Sequence, residues 1–327
     1  MKFALHFASL NFPDAAGAAR VARAAEAAGF DSVLAIDHVV LPQHYESIYP
    51  YSANGRMPAA NTAPYVDPLI WMAFAAAATS TIKLMTGVII LPQREPLALA
   101  KQVATLDFMS GGRIELGIGV GWLKEEFAAI GVPFEKRGKI IDENLDILKR
   151  FWTEDMVKGE WTHHKIPAGV MYPKPAQKPR PPILIGGYVD RVLKRAAVDG
   201  DGWLTYFYRP EGFAKSWAKI RAYAAEAGKD PDTLMNGAQL PIMIGKSRAD
   251  VESRMMEWLG TEWDYASWSD STKDSAILGT VDECVAQLRE HLAVGVQKLI
   301  FVPYKYEMSQ IEIIANEIIP RLRASQR

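Results

Sequence analysis

Residues 84–122 read LMTGVIILPQREPLALAKQVATLDFMSGGRIELGIGVGW. An apolar run, a Pro-bearing loop, a stretch with helical spacing, a Ser-Gly-Gly turn and a second apolar run follow one another. That order is a β-α-β unit, and its two strands must lie parallel. In the second run Gly117, Gly119 and Gly121 alternate, so a period of two puts them on one face, with Ile114, Leu116, Ile118 and Val120 on the other. The branched face belongs against helices. The glycine face leaves space at the end of the strand, which either bulky neighbours or a bound ring system must fill, because interiors pack densely. Gly87, within Thr86-Gly87-Val88, marks either a bulge where a ligand approaches or a packing glycine.

The same alternation runs outward in both directions. Strands are predicted over 2–8, 32–38, 82–90, 113–121, 183–186, 202–207, 239–244 and 298–304, with helical stretches between them. Eight strand–helix repeats without a composition break predict an α/β fold, a (β/α)8 TIM barrel, as one domain over 1–327. Insertions fall at about 39–66, 157–182 and 261–279. A doubly wound open sheet is the alternative, but its first turn would carry G-x-G-x-x-G, and SLNFPDAAG (9–17) does not.

A formal net charge of −1 over 327 residues supplies no field for nucleic acid or an anionic membrane, so neither is expected as a partner. Cys284 is the single cysteine, which excludes an intramolecular disulfide and a cysteine-rich metal site and fits a cytoplasmic location. The N-terminus reads as a strand rather than a signal peptide, and no apolar run has the length of a membrane span.

In such a barrel chemistry belongs at the C-terminal ends of the strands. Asp37-His38 ends the second strand; a histidine there can hydrogen-bond a ligand and move a proton near neutral pH. Gly186, Gly187 and Tyr188 lie between the fifth strand and a helix, where free N–H groups and the helix dipole favour an anion, with Arg191 adding charge. Trp203 and Tyr206 are candidate pocket walls. Glu115 reads as half of an interior ion pair and has no second carboxylate placed for glycoside hydrolysis. His6 reads as structural. His163-His164, with no third ligand nearby, reads as solvated loop, and no metal site is expected.

With these residues in place, the chain resembles the bacterial-luciferase-like flavin and deazaflavin oxidoreductases, most of all their coenzyme F420-dependent branch. The resemblance covers nearly the whole chain. It rests on Gly29-Phe30-Asp31-Ser32, Asp37-His38, TGVxxLPxRxP (86–96), ATLDxxSGGRxxLGxGxGW (104–122), PPILIGG (181–187) and the DGW at 201–203. It implies a luciferase-like barrel with insertions, usually a homodimer, that transfers a hydride between coenzyme F420 and a small organic substrate. It further implies a non-prolyl cis peptide at Gly87–Val88 behind the cofactor ring and cofactor contacts at Thr86, Gly87, Val88, Gly119, Val120, Gly121, Trp122, Gly186, Gly187 and Tyr188. His38, with Asp37, would be catalytic. Trp122, Trp203 and Tyr206 would shape the substrate pocket, with the aromatic loop 45–65 as a lid. Two other functions share the fold: a monooxygenase using reduced FMN from a separate flavin reductase, and a non-catalytic flavin-binding protein. In the sugar-phosphate dehydrogenase branch a glutamate follows the G-x-G of the fourth strand. Here Trp122 stands there, which argues against that activity; Glu125 and Glu126 come later.

Overall fold

The computed structural model describes residues 1–50, 55–57, 62–206, 208–261 and 275–324. Eight parallel strands close into a barrel: β1 (Lys2–Leu5), β2 (Ser32–Ala35), β3 (Lys83–Thr86), β4 (Ile114–Gly119), β5 (Ile183–Gly186), β6 (Gly202–Tyr206), β7 (Met235–Ile244) and β8 (Lys298–Pro303). They follow one another round the barrel in chain order, and β8 returns to β1 with Leu5 opposite Phe301. Outside them lie α1 (Ala15–Ala27), α2 (Pro68–Ala77), α3 (Pro96–Met109), α4 (Lys124–Ala129), α5 (Arg137–Thr153), α6 (Asp190–Val198), α7 (Pro210–Glu226), α8 (Arg248–Thr261), α9 (Val281–Ala293) and a closing helix, 308–324, with a π turn at Ile314–Ile318. No helix among the described residues is long and apolar enough to cross a membrane.

The helix starts are written in the sequence. Asp14, Asp67 and Glu95 accept backbone N–H bonds at the first turns of α1, α2 and α3, and Pro68 and Pro96 occupy first-turn positions where no N–H is missed. Outward-facing strand residues such as Val33, Ile114, Leu116 and Ile118 join the helices in the main core. Inside the barrel Ala4, Leu34, Met85, Leu184, Leu204 and Ile300 pack together. Beside them Glu115 and Lys298 form the expected interior ion pair.

Several strands end earlier than their apolar runs. β1 stops at Leu5 because Phe7 takes a left-handed conformation (φ 58°) and opens a helical turn, Ala8–Asn11. The third run breaks at a cis Gly87–Val88 peptide, after which Ile89–Ile90 pairs again with β4. β4 stops at Gly119, and Gly121 (φ +84°) has left the strand, so it does not share the inward face of Gly117 and Gly119. The insertion contains an antiparallel hairpin, Val157–Glu160 with Lys165–Gly169. Ile277–Gly279 adds a short strand to the end of β7. Of the expected loops, 262–274 and parts of 39–65 (51–54 and 58–61) lie outside the described residues, as does Phe207.

Much of the recurring sequence pattern is scaffold. Asp107 accepts from Gln177 N (3.0 Å) and Gln177 Nε2 (2.7 Å), tying the insertion to α3. Arg113 donates to Thr79 Oγ1 and to the carbonyls of Ala76, Ile82 and Ser110. Asp201 takes Arg180 on both oxygens and also the Ile183 N–H.

Candidate active site

A cavity of about 830 Å³ opens at the C-terminal ends of the strands. Its walls come from the end of β2 and the loop after it, the Gly87–Val88 peptide, the segment after β4, the start of α5, the Gly186–Gly187 turn with the start of α6, and the end of β6.

On one side stands His38. Its Nδ1 lies 3.0 Å from Glu126 Oε2, while Glu126 Oε1 accepts the N–H groups of Val39 (2.7 Å) and Val40 (3.3 Å). The Glu126 side chain is fully buried. Burial pushes its pKa up, but the hydrogen bond from His38, the charge interaction with it, and bonds from Gln93 and Val39 N–H outweigh that, so its pKa lies below the ordinary carboxylate value. A carboxylate that already accepts two backbone N–H groups takes the Nδ1–H of the imidazole and leaves Nε2 for a ligand. Glu126 was not singled out in the sequence. Its signal is faint: Leu123, Glu126 and Phe127 are all buried and share one face of α4 by their i, i+3, i+4 spacing, so an acid sits on an apolar stripe.

Rings surround His38. Tyr65 stands edge-on at 5.2 Å and Trp122 at 6.4 Å between centroids; Tyr45 and Tyr49 meet Trp122 at 5.6 and 5.1 Å. The loop after β2 is held here by Glu125, which accepts from Glu46 N (2.7 Å), Ser47 N (3.1 Å) and Ser47 Oγ (2.6 Å). The structure thus brings Trp122 and the aromatic loop together, as the sequence predicts.

Asp37 has a different situation from His38. It is buried; Oδ2 accepts from Ile90 N (3.0 Å) and Oδ1 pairs with Arg94 (2.5 Å), whose other arm reaches Asp67 (2.7 Å). Burial raises its pKa against the pull of Arg94 and the Ile90 N–H. Arg94 is the arginine of the TGVxxLPxRxP pattern, and it fastens the end of β2 to the start of α2.

The floor is built round Val88. A Cβ on Gly117 would fall 2.1 Å from the Thr86 carbonyl oxygen; on Gly119, 2.7 Å from Val88 Cγ2; on Gly186, 2.9 Å from Val88 Cγ1. The glycine face of β4 is therefore occupied by the broken third strand, not left open, and Val88 itself borders the cavity. Tyr206 donates to Gly87 O (2.8 Å), and burial pushes its pKa up to about 12. Beneath Gly87 lies His6, fully buried, with no hydrogen-bond partner on either nitrogen among the described residues; burial pushes its pKa down to about 3.

Two expected contacts do not line the cavity. The Thr86 side chain is buried and donates to Gly117 O (2.6 Å). Trp203 points outward into the helix core, its ring tilted against Phe213 at 5.2 Å, and its Nε1–H bonds Gly187 O (2.6 Å). Trp203 and Tyr206 are three apart on one strand, so they must face opposite sides. His163 and His164 also differ from expectation: both Nδ1 atoms meet buried Glu143 (3.2 and 2.6 Å) and dock the hairpin on α5. Among the described residues no group of three or more His, Cys, Asp or Glu converges as a metal site.

Basic side chains also line the cavity, with the carboxylate of Glu135 among them. Lys124, Arg137, Lys139, Arg191 and Arg195 line it. Arg137 lies over Phe134 at 3.6 Å and donates to Gly121 O (3.2 Å) and Phe134 O (2.9 Å). Arg191 Nη2 sits 2.8 Å from where a Cβ on Gly138 would be, so that glycine leaves room for the guanidinium. Arg195 is paired with Asp142 (2.6 Å) and Lys124 with Glu135 (3.5 Å), whereas no ion pair is formed by Arg137 or Arg191 among the described residues. Gly186-Gly187-Tyr188 and the first turn of α6 line the same cavity, so backbone donors stand there together with Arg191 and with Arg137, whose guanidinium also bonds two backbone carbonyls, an arrangement that can hold an anion. The cavity thus combines apolar and aromatic walls with basic side chains.

Comparison with known proteins agrees with this fold. A family model described as luciferase-like monooxygenase matches residues 4–298. An uncharacterized protein of Mycobacterium tuberculosis is 35% identical over 209 residues, 64% of this chain and 72% of that one. An FMNH2-dependent dimethylsulfone monooxygenase of Pseudomonas putida is 26% identical, with 76% of each chain covered. In architecture the chain is similar to an F420-dependent secondary alcohol dehydrogenase solved with an F420–acetone adduct (TM-score 0.79, 20% identity, 98% of this chain and 99% of that one). A closed eight-strand barrel with a cavity at its C-terminal mouth, matched over almost its whole length, places the chain in the luciferase-like monooxygenase family.

Proposed function

We propose that this protein is an oxidoreductase that binds coenzyme F420 and transfers a hydride between it and a small organic substrate. The observation that carries this reading is His38: an oriented imidazole, tied by Nδ1 to Glu126, on the wall of a cavity that basic side chains also line. Gly87–Val88 and Gly119–Trp122 would border the ring, and Gly186-Gly187-Tyr188 with Arg137 and Arg191 would hold the phosphate. The bound deazaflavin supplies the hydride chemistry. His38 holds or accepts the coupled proton at Nε2, Glu126 and Asp37 act as positioning residues, and the ring group around His38 excludes water. Arg137 and Arg191, which form no ion pair among the described residues, support a cofactor with an anionic tail.

The likeness to the dimethylsulfone monooxygenase supports a second reading, oxygen activation on reduced FMN delivered by a separate reductase. The first reading also includes a homodimer, supported by exposed Ile70 and Phe74 on α2 and Phe108 and Met109 on α3. The test is anaerobic turnover of F420 with a panel of neutral alcohols, comparing the wild type with His38→Ala. The expected result is retained F420 affinity and turnover lower by about 10²–10⁴. Unchanged turnover in the variant removes His38 from the chemistry.

A further inference from the structure

We infer that the substrate is a neutral, largely apolar molecule with one hydrogen-bonding oxygen, bound between Trp122, Tyr65 and Tyr49 with that oxygen on His38 Nε2. This deepens the proposed function and rests on it for the position of the cofactor. The basic side chains that line the cavity come from Lys124, from the 137–139 segment and from the start of α6. The walls around His38 are Tyr65, Trp122, Tyr49, Ile48 and Met57.

The polar groups of that wall are largely committed. Tyr45 Oη accepts from Met57 N (3.0 Å), Tyr65 Oη faces Met57 Sδ (3.8 Å), and Ser47 Oγ donates to Glu125. Burial raises the Tyr65 pKa, so its phenol stays protonated near neutral pH. Arg56 lies 4.9 Å over the Tyr45 ring, outside the cavity wall, with Nη1 on Tyr45 O. His38 carries its own counter-ion in Glu126, so even a protonated imidazole leaves no net positive charge to attract an anion. Among the described residues no cation lies over the Tyr65 or Trp122 ring, so an anionic group placed between them would lose its hydration against aromatic walls. A hydroxyl or carbonyl oxygen needs one partner, and Nε2 is that partner.

The experiment compares matched probes: cyclohexanol, cyclohexanone, cyclohexanecarboxylate and cyclohexyl phosphate. Binding is measured calorimetrically to the full chain, both cofactor-free and loaded with F420 or FMN, and cofactor affinity is recorded separately. The expected result is that the neutral probes bind at least about tenfold tighter than the anionic ones, and that Trp122→Ala abolishes their binding. Ile48→Lys, at an exposed position on the wall, is expected to shift the preference toward the carboxylate. Binding of cyclohexanecarboxylate as tight as that of cyclohexanol, surviving Arg191→Ala and lost in Trp122→Ala, overturns the inference. Absence of F420 affinity with neutral selectivity intact overturns the cofactor reading alone, so the two failures are separable.

Discussion

At the residue scale the central contact is between His38 and Glu126. The carboxylate is fully buried and accepts two backbone N–H groups besides the imidazole, so it is fixed before any ligand arrives. Replacing it by Gln leaves a side chain of equal size with one acceptor and no charge. Glu126→Gln is expected to lower turnover by about tenfold or more while cofactor affinity holds. Combined with His38→Ala it should cost little beyond the single His38 change, because one contact is being removed twice. Additive losses in that double-mutant cycle would separate the two residues. His6 carries a different signature. Folded, it takes a proton only near pH 3, whereas an unfolded histidine does so near 6.5. Between those values the unfolded chain binds the extra proton, so stability falls as pH drops through that window. His6→Leu should flatten urea-denaturation stability against pH by about 1.4 kcal/mol per pH unit there.

The element that shapes the mouth is the interrupted third strand. Its apolar run is legible in the sequence, and so is the inward pair Gly117 and Gly119. The filler is not, because the glycines and Val88 lie about thirty residues apart and meet only across two strands. Gly119→Ala is expected to destabilise by roughly 1–3 kcal/mol through overpacking against Val88. Most of that cost should vanish in a Val88→Ala background; equal costs in both backgrounds, measured by denaturant unfolding, would contradict the packing. Trp203 shows the complementary lesson: strand periodicity alone separates it from Tyr206, whereas grouping the two as pocket walls ignored their odd spacing. Helix α4 illustrates what stays hidden. Glu125 and Glu126 are neighbours in sequence, yet each captures a different turn of the loop after β2. Glu125→Ala should release Glu46 and Ser47 and speed proteolytic cleavage near them, with the barrel melt unchanged.

At the scale of the whole molecule, the barrel order and the mouth as the place for chemistry follow from eight repeated units, and the resemblance motifs mark both. Those motifs serve mainly as joints: Arg94 on Asp37 and Asp67, Arg113 on α2, Asp201 on Arg180. That basic side chains share the cavity with the rings and with the His38–Glu126 contact is less legible, since Arg137 has no motif and Glu126 is 88 residues from His38. Exposed Ile70 and Phe74 on α2 lead to the expectation that the protein sediments as a dimer and that Ile70→Asp with Phe74→Asp yields a folded monomer. The most direct test of the central claim is equilibrium titration of the purified chain with F420 and, separately, with FMN, followed by fluorescence in the wild type and in Arg137→Ala and Arg191→Ala. The account predicts that F420 binds, that FMN binds at least about tenfold more weakly, and that either arginine change weakens F420. Tight FMN binding with no affinity for F420 would contradict it.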